Sequence, residues 1–122
     1  MIPATLASMA LAMTVALGPA LDPDPALMSE KQRNLIVRPL VQQANECIAR
    51  RVVADKRYQR HTTDLGDLIV NAVPECVDRI RAMVDGYDRY FGDGSGAEFF
   101  IGPYLKVLPD VVNGLIKELE VQ

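Results

Sequence analysis

Apolar residues recur every three or four positions in three segments after residue 28, and this spacing predicts three amphipathic helices. The first helix is predicted to begin at Ser29, because Ser29 and Gln32 stand three residues apart in a capping-box pattern. Pro39 lies inside this segment and should kink the helix. The apolar stripe of the first segment consists of Ile36, Val37, Leu40, Val41, Ala44, Cys47, Ile48 and Val52.

The second segment has the longest uninterrupted stripe. Thr63 or Asp64 can cap its start, and Gly92 can end it. Pro74 lies within the segment, and because the stripe continues beyond this proline, we expect one bent helix and not two separate ones. Its apolar positions are Leu65, Leu68, Ile69, Ala72, Val73, Cys76, Val77, Ile80, Met83, Val84, Tyr87, Tyr90 and Phe91.

The third segment is predicted to open with a second capping box, formed by Ser95 and Glu98, and to be interrupted by Pro103 and Pro109. Its stripe contains Phe99, Phe100, Tyr104, Leu105, Leu108, Val111, Val112, Leu115, Ile116 and Leu119. No segment shows the alternation of apolar and polar residues that is typical of a strand. The predicted fold is therefore all-α, a small three-helix antiparallel (up-down) bundle with proline-kinked helices.

The N-terminal segment has the composition of a secretory signal. Residues 2–17 have no charged side chain and are rich in Ala, Leu and Met. Small residues at Gly18 and Ala20 favour cleavage after Ala20. We therefore predict a signal peptide at 1–20, a linker at 21–28 and a helical domain at 29–122, in a protein exported to the periplasm or secreted. The alternative is an uncleaved membrane anchor, since the apolar run is close to the length that spans a bilayer.

Two cysteines, Cys47 and Cys76, fit an oxidising compartment and are predicted to form one structural disulfide. The loop between the first two helices is centred near His61, 14 residues from one cysteine and 15 from the other. In an antiparallel hairpin, residues equidistant from the turn lie at the same height. Both cysteines also belong to the apolar stripes that must face each other, so the bond is geometrically natural.

Charge argues against a general nucleic-acid binder, because the formal net charge is −3 and such proteins have a basic excess. Basic residues are concentrated at the predicted hairpin tip, which gives a candidate surface for an anionic partner. The residues of this basic tip are Arg50, Arg51, Lys56, Arg57 and Arg60. A solvated tip without a partner explains the same charges.

Six of the seven aromatic residues lie within residues 87–105. Rings at helical spacing at the ends of two helices usually close a core. The same stretch, with tyrosine hydroxyls and the loop "GDGSG" beside an apolar surface, also has the composition of a ligand-binding cleft. The candidate ligand-binding residues are Tyr87, Tyr90, Asp93, Ser95 and Tyr104.

Catalytic and metal-binding patterns are few. Asp85, Asp88, Asp93 and Glu98 are close in sequence but follow no EF-hand register, so they are candidates only for a non-standard cation site. His61 has no serine or cysteine nucleophile predicted beside it. We name no catalytic residue and expect no cofactor.

The sequence therefore favours a small exported helical protein of the bacterial envelope that acts as a non-enzymatic binding module, with a protein or a small molecule as its partner. Two alternatives remain open. One is a metal-dependent or carboxylate-based enzyme or binder that uses residues 85–104, and the other is a membrane-anchored accessory subunit.

Overall fold

A computed structural model describes residues 24–121, and within these residues every regular element is helical. The all-α prediction is confirmed for this part of the chain, whereas the predicted signal peptide lies outside the described residues. The elements are α1 (Glu30–Ala54), α2 (Lys56–Gln59), α3 (Leu65–Ala72), α4 (Val77–Phe91), α5 (Ser95–Phe99) and α6 (Leu105–Val121), with 3-10 turns at Pro25–Leu27 and Val73–Cys76 and a π turn at Phe100–Tyr104.

Helix α1 begins with the predicted capping box. The Gln32 backbone N–H donates to the Ser29 hydroxyl at 3.2 Å, and the Ser29 N–H donates to the Gln32 side-chain oxygen at 2.8 Å. Both bonds satisfy donors that would otherwise lack a partner at the helix start. Helix α1 contains Pro39 and packs against α3, α4 and α6, so it is the central helix of the described structure.

The second predicted helix consists of two α-helices joined by a 3-10 turn. This turn, Val73–Cys76, contains Pro74, which has no N–H to donate to the α-helical ladder. Helix α4 then ends at Gly92 as predicted, and Gly92 has a φ of 108°, a region that only glycine adopts readily. Proline thus changes the helix type within this segment, while the predicted kinks stay predictions.

The predicted capping box at the third helix is wrong. Gly94, with a φ of 87°, occupies the N-cap position, and Ser95 is already the first residue of α5. The Ser95 hydroxyl instead donates to the Gly92 carbonyl at 2.5 Å and lies 3.0 Å from the Tyr87 carbonyl. The Ser95 hydroxyl therefore binds the loop to the end of α4. The backbone N–H groups at the start of α5 need an acceptor from another residue.

The apolar stripes form one core, but two predicted stripe residues are exposed. Val77 is 47% exposed and directly follows the 3-10 turn, and Leu105 is 40% exposed and directly follows the π turn. These turns have periods other than 3.6 residues, so they shift the phase of the stripe that follows. The buried cluster is Ala44, Ile48, Ala49, Val52, Leu68, Ile69, Ala72, Cys76, Ile80, Met83, Tyr104, Leu108, Val112 and Ile116.

The predicted cysteine pair is confirmed. The Sγ atoms of Cys47 and Cys76 are 2.11 Å apart, with 6.0 Å between the Cα atoms, so α1 is joined to the 3-10 turn before α4. The antiparallel up-down arrangement of the three predicted helices stays a prediction at this point.

Two glycines allow helices to approach closely. The Leu40 side chain of α1 occupies the space where a Cβ at Gly86 would lie, and the Val84 carbonyl occupies the corresponding space at Gly96. The second contact is between backbone and backbone, so it has less freedom to adjust than a contact with a flexible leucine tip.

Within the described residues, one continuous helix, Ser95–Val121, is long and apolar enough to cross a membrane by length and composition alone. Core helices of soluble proteins meet the same criteria. Tyr104, Leu108, Val112 and Ile116 of this helix are packed in the core, but only 22% of its apolar window is buried.

Candidate functional site

Three aromatic rings from α4 and α5 form a continuous stack. The Tyr87 and Phe99 ring centroids are 4.1 Å apart with 13° between the ring planes, and the Tyr87 and Phe91 centroids are 5.3 Å apart with 24° between the planes. Tyr87 and Phe91 stand four residues apart on α4 and therefore share one face of the helix. The loop at 92–94 returns the chain so that α5 places Phe99 against that face.

The stack borders an open groove of about 380 Å³, which we call the aromatic groove. Its lining residues are Tyr87, Phe91, Ser95, Glu98, Phe99 and Pro103. All three stacked rings are only half-buried, so they offer apolar surface to a ligand while also packing against each other. Ser95 and Glu98 add two polar side chains, a composition typical of small-molecule and peptide sites.

Tyr104 lies apart from the aromatic groove, in the core. It is 2% exposed, its ring contacts those of Phe99 and Phe100, and its hydroxyl has no hydrogen-bond partner in the described structure. Burial raises the pKa of Tyr104 to about 12. Tyr104 is therefore a core residue whose hydroxyl has no hydrogen-bond partner in the described structure.

The other predicted ligand-binding residues are only partly brought together. Tyr87 and Ser95 line the groove, and partial burial raises the pKa of Tyr87. Tyr90 does not line it, and the guanidinium of Arg89 lies 5.7 Å from the centre of the Tyr90 ring. Asp93 is exposed in the turn between α4 and α5. The site is thus smaller than the sequence suggested and is centred on Tyr87.

Sequence reasoning missed Phe91, Phe99 and Pro103 as groove residues. The spacing of four between Tyr87 and Phe91 could have identified the α4 wall, because such residues share a helix face. The α5 side of the groove depends on the path of the 92–94 loop. The spacing of apolar residues within a helix does not predict the path of a loop.

The acidic residues of this region serve different purposes. Asp88 accepts a 2.8 Å hydrogen bond from the Gly96 backbone N–H, whereas Asp85 and Asp93 are exposed. Within residues 24–121, no group of three or more His, Cys, Asp or Glu side chains is placed to hold a metal ion.

The basic tip is exposed throughout, and two of its arginines have acidic neighbours. Arg51 lies 3.7 Å from Glu75, and Arg57 donates two hydrogen bonds to the Asp55 carboxylate, at 2.9 and 3.1 Å. The hydrogen bonds from Arg57 lower the pKa of Asp55. These pairs reduce the net positive charge that the tip presents to an anionic partner.

His61 lies at the same end, exposed in the loop, with a φ of 53°. Its nearest aromatic contact is Tyr58, with 6.1 Å between the ring centroids. Together with Tyr58, Thr63 and Asn113, His61 lines a pocket of about 200 Å³ at this end of the protein.

Comparison with protein-family models, curated proteins and solved structures finds no match to this chain.

Proposed function

We propose that this protein is an exported, non-enzymatic binding module of the bacterial envelope, periplasmic or secreted, and that the aromatic groove is its binding site. The single observation that carries the proposal is the position of the stacked rings of Tyr87, Phe91 and Phe99. They line an open groove, and Tyr87 and Phe99 also pack against the buried cluster, so these two rings contact the core and still leave part of their surface to the groove. Partly exposed aromatic rings of this kind supply contact area on binding.

The chemistry of the groove indicates the partner class. Its walls are aromatic, with Pro103 beside them, and Glu98 is the charged residue that lines it. A ligand with an apolar or aromatic part would stack on the rings. A hydrogen-bond donor or a cationic group on the same ligand would lie beside the Glu98 carboxylate. A protein side chain and a small molecule both satisfy this description.

The proposal includes the antiparallel up-down arrangement of the three helical segments. Three contacts support it. Cys47 meets Cys76 and Leu40 meets Gly86, so residue numbers fall along α1 as they rise along the second segment. At the other end, the Tyr58 hydroxyl donates a 2.7 Å hydrogen bond to Glu120, near the end of α6. In this arrangement the groove and the basic tip lie at opposite ends.

Export is proposed from the composition of residues 1–20 together with the disulfide, which persists in oxidising compartments. The anionic-partner role of the basic tip remains a secondary proposal, in which Arg50, Lys56 and Arg60 would provide the contacts.

Site-directed photo-crosslinking in intact cells tests the proposed function. A photoreactive residue is placed at Phe91 or at Pro103, in the groove, and at Val70 as the control, since Val70 is 69% exposed on α3. We expect an adduct of one defined mass from the two groove positions and none from Val70. Glu98→Gln should weaken the adduct if the ligand donates to the carboxylate. Equal labelling at all three positions would contradict the proposal.

A further inference from the structure

A second apolar surface lies where the described chain begins. Leu27 is 85% exposed and Leu35 is 51% exposed, although both are leucines. Together with Met28 and Ile36 they line a groove of about 460 Å³ on the outer face of α1, bordered by Asp24 and Gln32. Large exposed leucines grouped in one groove are typical of a surface that contacts another apolar phase.

This surface and the aromatic groove lie at the same end of the protein. The contacts Cys47–Cys76 and Leu40–Gly86 bring the end of α4 beside the first turns of α1. The 3-10 turn Pro25–Leu27 also contacts α4. We call these two surfaces together the apolar end.

The uncharged leader joins the domain at the apolar end. Residues 2–17, 16 residues without a charged side chain, are followed by the six residues 18–23 and then by Asp24, which borders the leucine groove. Six extended residues span at most about 20 Å. In the alternative in which the leader is not cleaved after Ala20 and lies in a bilayer, Asp24 and the leucine groove that it borders are at most about that distance from the lipid.

We infer that the apolar end is a membrane-docking surface, and that its partner is the lipid bilayer that receives the leader. Leu27 and Leu35 would enter the interfacial region, where burial of apolar area drives binding. In 24–33 and 93–98 there are four acidic residues (Asp24, Glu30, Asp93 and Glu98) and two basic ones (Lys31 and Arg33). This charge balance favours zwitterionic lipid over anionic lipid. The inference rests on the proposed export with the leader left uncleaved, and it requires no ligand in the aromatic groove, which is itself part of the apolar end.

Single-tryptophan variants of the full chain test the inference, because the natural sequence contains no Trp. Leu27→Trp and Leu35→Trp place the reporter at the apolar end. Val70→Trp is the matched control, since Val70 is similarly exposed and lies on α3, near the opposite end. Each variant is mixed with phosphatidylcholine vesicles that contain brominated lipid, and indole emission and vesicle flotation are measured.

We expect a blue shift and bromine quenching for Leu27→Trp and Leu35→Trp, and neither for Val70→Trp. Replacing part of the zwitterionic lipid by anionic lipid should not strengthen the quenching. Three results would overturn the inference. The first is that the full chain does not float with the vesicles. The second is that it floats while the indole of Leu35→Trp emits as in water. The third is that the blue shift appears without lipid and grows with protein concentration, as expected for an interface between copies of the chain. None of these results bears on crosslinking at Phe91 or Pro103, so failure here is distinguishable from failure of the proposed function.

Discussion

The backbone N–H of Gly96 donates a 2.8 Å hydrogen bond to the carboxylate of Asp88, eight residues earlier on α4. This bond supplies an acceptor at the start of α5, where Gly94 as N-cap has no side chain to do so. The aromatic groove depends on it, because the same connection holds Phe99 against Tyr87.

Asp88→Ala should lower the free energy of unfolding by about 1–2 kcal/mol, the range found for lost helix caps. Asp88→Asn keeps an acceptor oxygen and should recover most of the loss. Asp85→Ala, a change to an exposed carboxylate on the same helix, is the control and should stay within about 0.5 kcal/mol of the natural protein. Urea denaturation measures all three, and equal losses at positions 85 and 88 would contradict the assigned role.

Gly96→Ala should destabilise the protein by about 1–3 kcal/mol, because the added methyl group would overlap the Val84 carbonyl and force the two backbones apart. The matched control is Gly114→Ala in α6, where an added Cβ has no atom within 4 Å. That change should stabilise the helix by about 0.5–1 kcal/mol, since alanine is the better helix former. Thermal unfolding of both variants should show shifts of opposite sign.

Tyr104→Phe should leave the fold unchanged and raise the free energy of unfolding by about 1 kcal/mol at neutral pH. The change removes a buried hydroxyl that has no partner and keeps the ring that packs on Phe99 and Phe100. Tyr58→Phe is the contrasting variant, because it removes the donor of the hydrogen bond to Glu120 and should be neutral or destabilising. A loss of stability at position 104 would show that its hydroxyl has a partner.

Alkaline pH should weaken the folded state through the same residue. Burial raises the pKa of Tyr104 to about 12 from an ordinary value of 10.0, so the unfolded chain releases this proton first. Below about pH 10 this ionisation does not affect the free energy of unfolding, which then decreases by about 2–3 kcal/mol as the pH rises to about 12. Tyr58 and Tyr87 also have raised pKa values, so the difference between the natural protein and Tyr104→Phe isolates the effect.

Reduction of the Cys47–Cys76 bond should lower the free energy of unfolding by about 3–4 kcal/mol on chain-entropy grounds, given the 29-residue separation. Melting followed by circular dichroism, with and without reductant, measures the difference. The unfolded, unreduced protein should also show no free thiol, and two titratable thiols would contradict the bond.

Two features of the fold were predictable from spacing along the sequence. Ser29 and Gln32 lie three residues apart, so their mutual capping is visible in the sequence, and the cysteine pair followed from distance to the turn. The cap of α5 was not predictable in this way. Ser95 and Glu98 match the local capping pattern, but the positive φ at Gly94 moves the helix start, and the acceptor comes from Asp88 on another helix.

The sequence indicated which part of the chain contains the candidate site, but not which side chains line the groove. Tyr87 and Ser95 were identified, and the helical spacing could have added Phe91, whereas Phe99 and Pro103 became groove residues only through the return of the chain at 92–94. The exposure of Leu105 likewise depends on the π turn. This turn does not have the 3.6-residue period of an α-helix, so it rotates the apolar stripe that follows it about the helix axis.

The bond between Cys47 and Cys76 divides the domain topologically. It closes a covalent ring that contains the last third of α1, α2 and α3, while the continuous helix Ser95–Val121 lies outside the ring and is held by packing and by hydrogen bonds such as Tyr58–Glu120 and Gly96–Asp88. That helix can detach and return without a change in the connectivity of the rest. It is therefore the natural unit of partial opening, and its departure would open the groove wall formed by Phe99 and Pro103 while the hairpin stays closed.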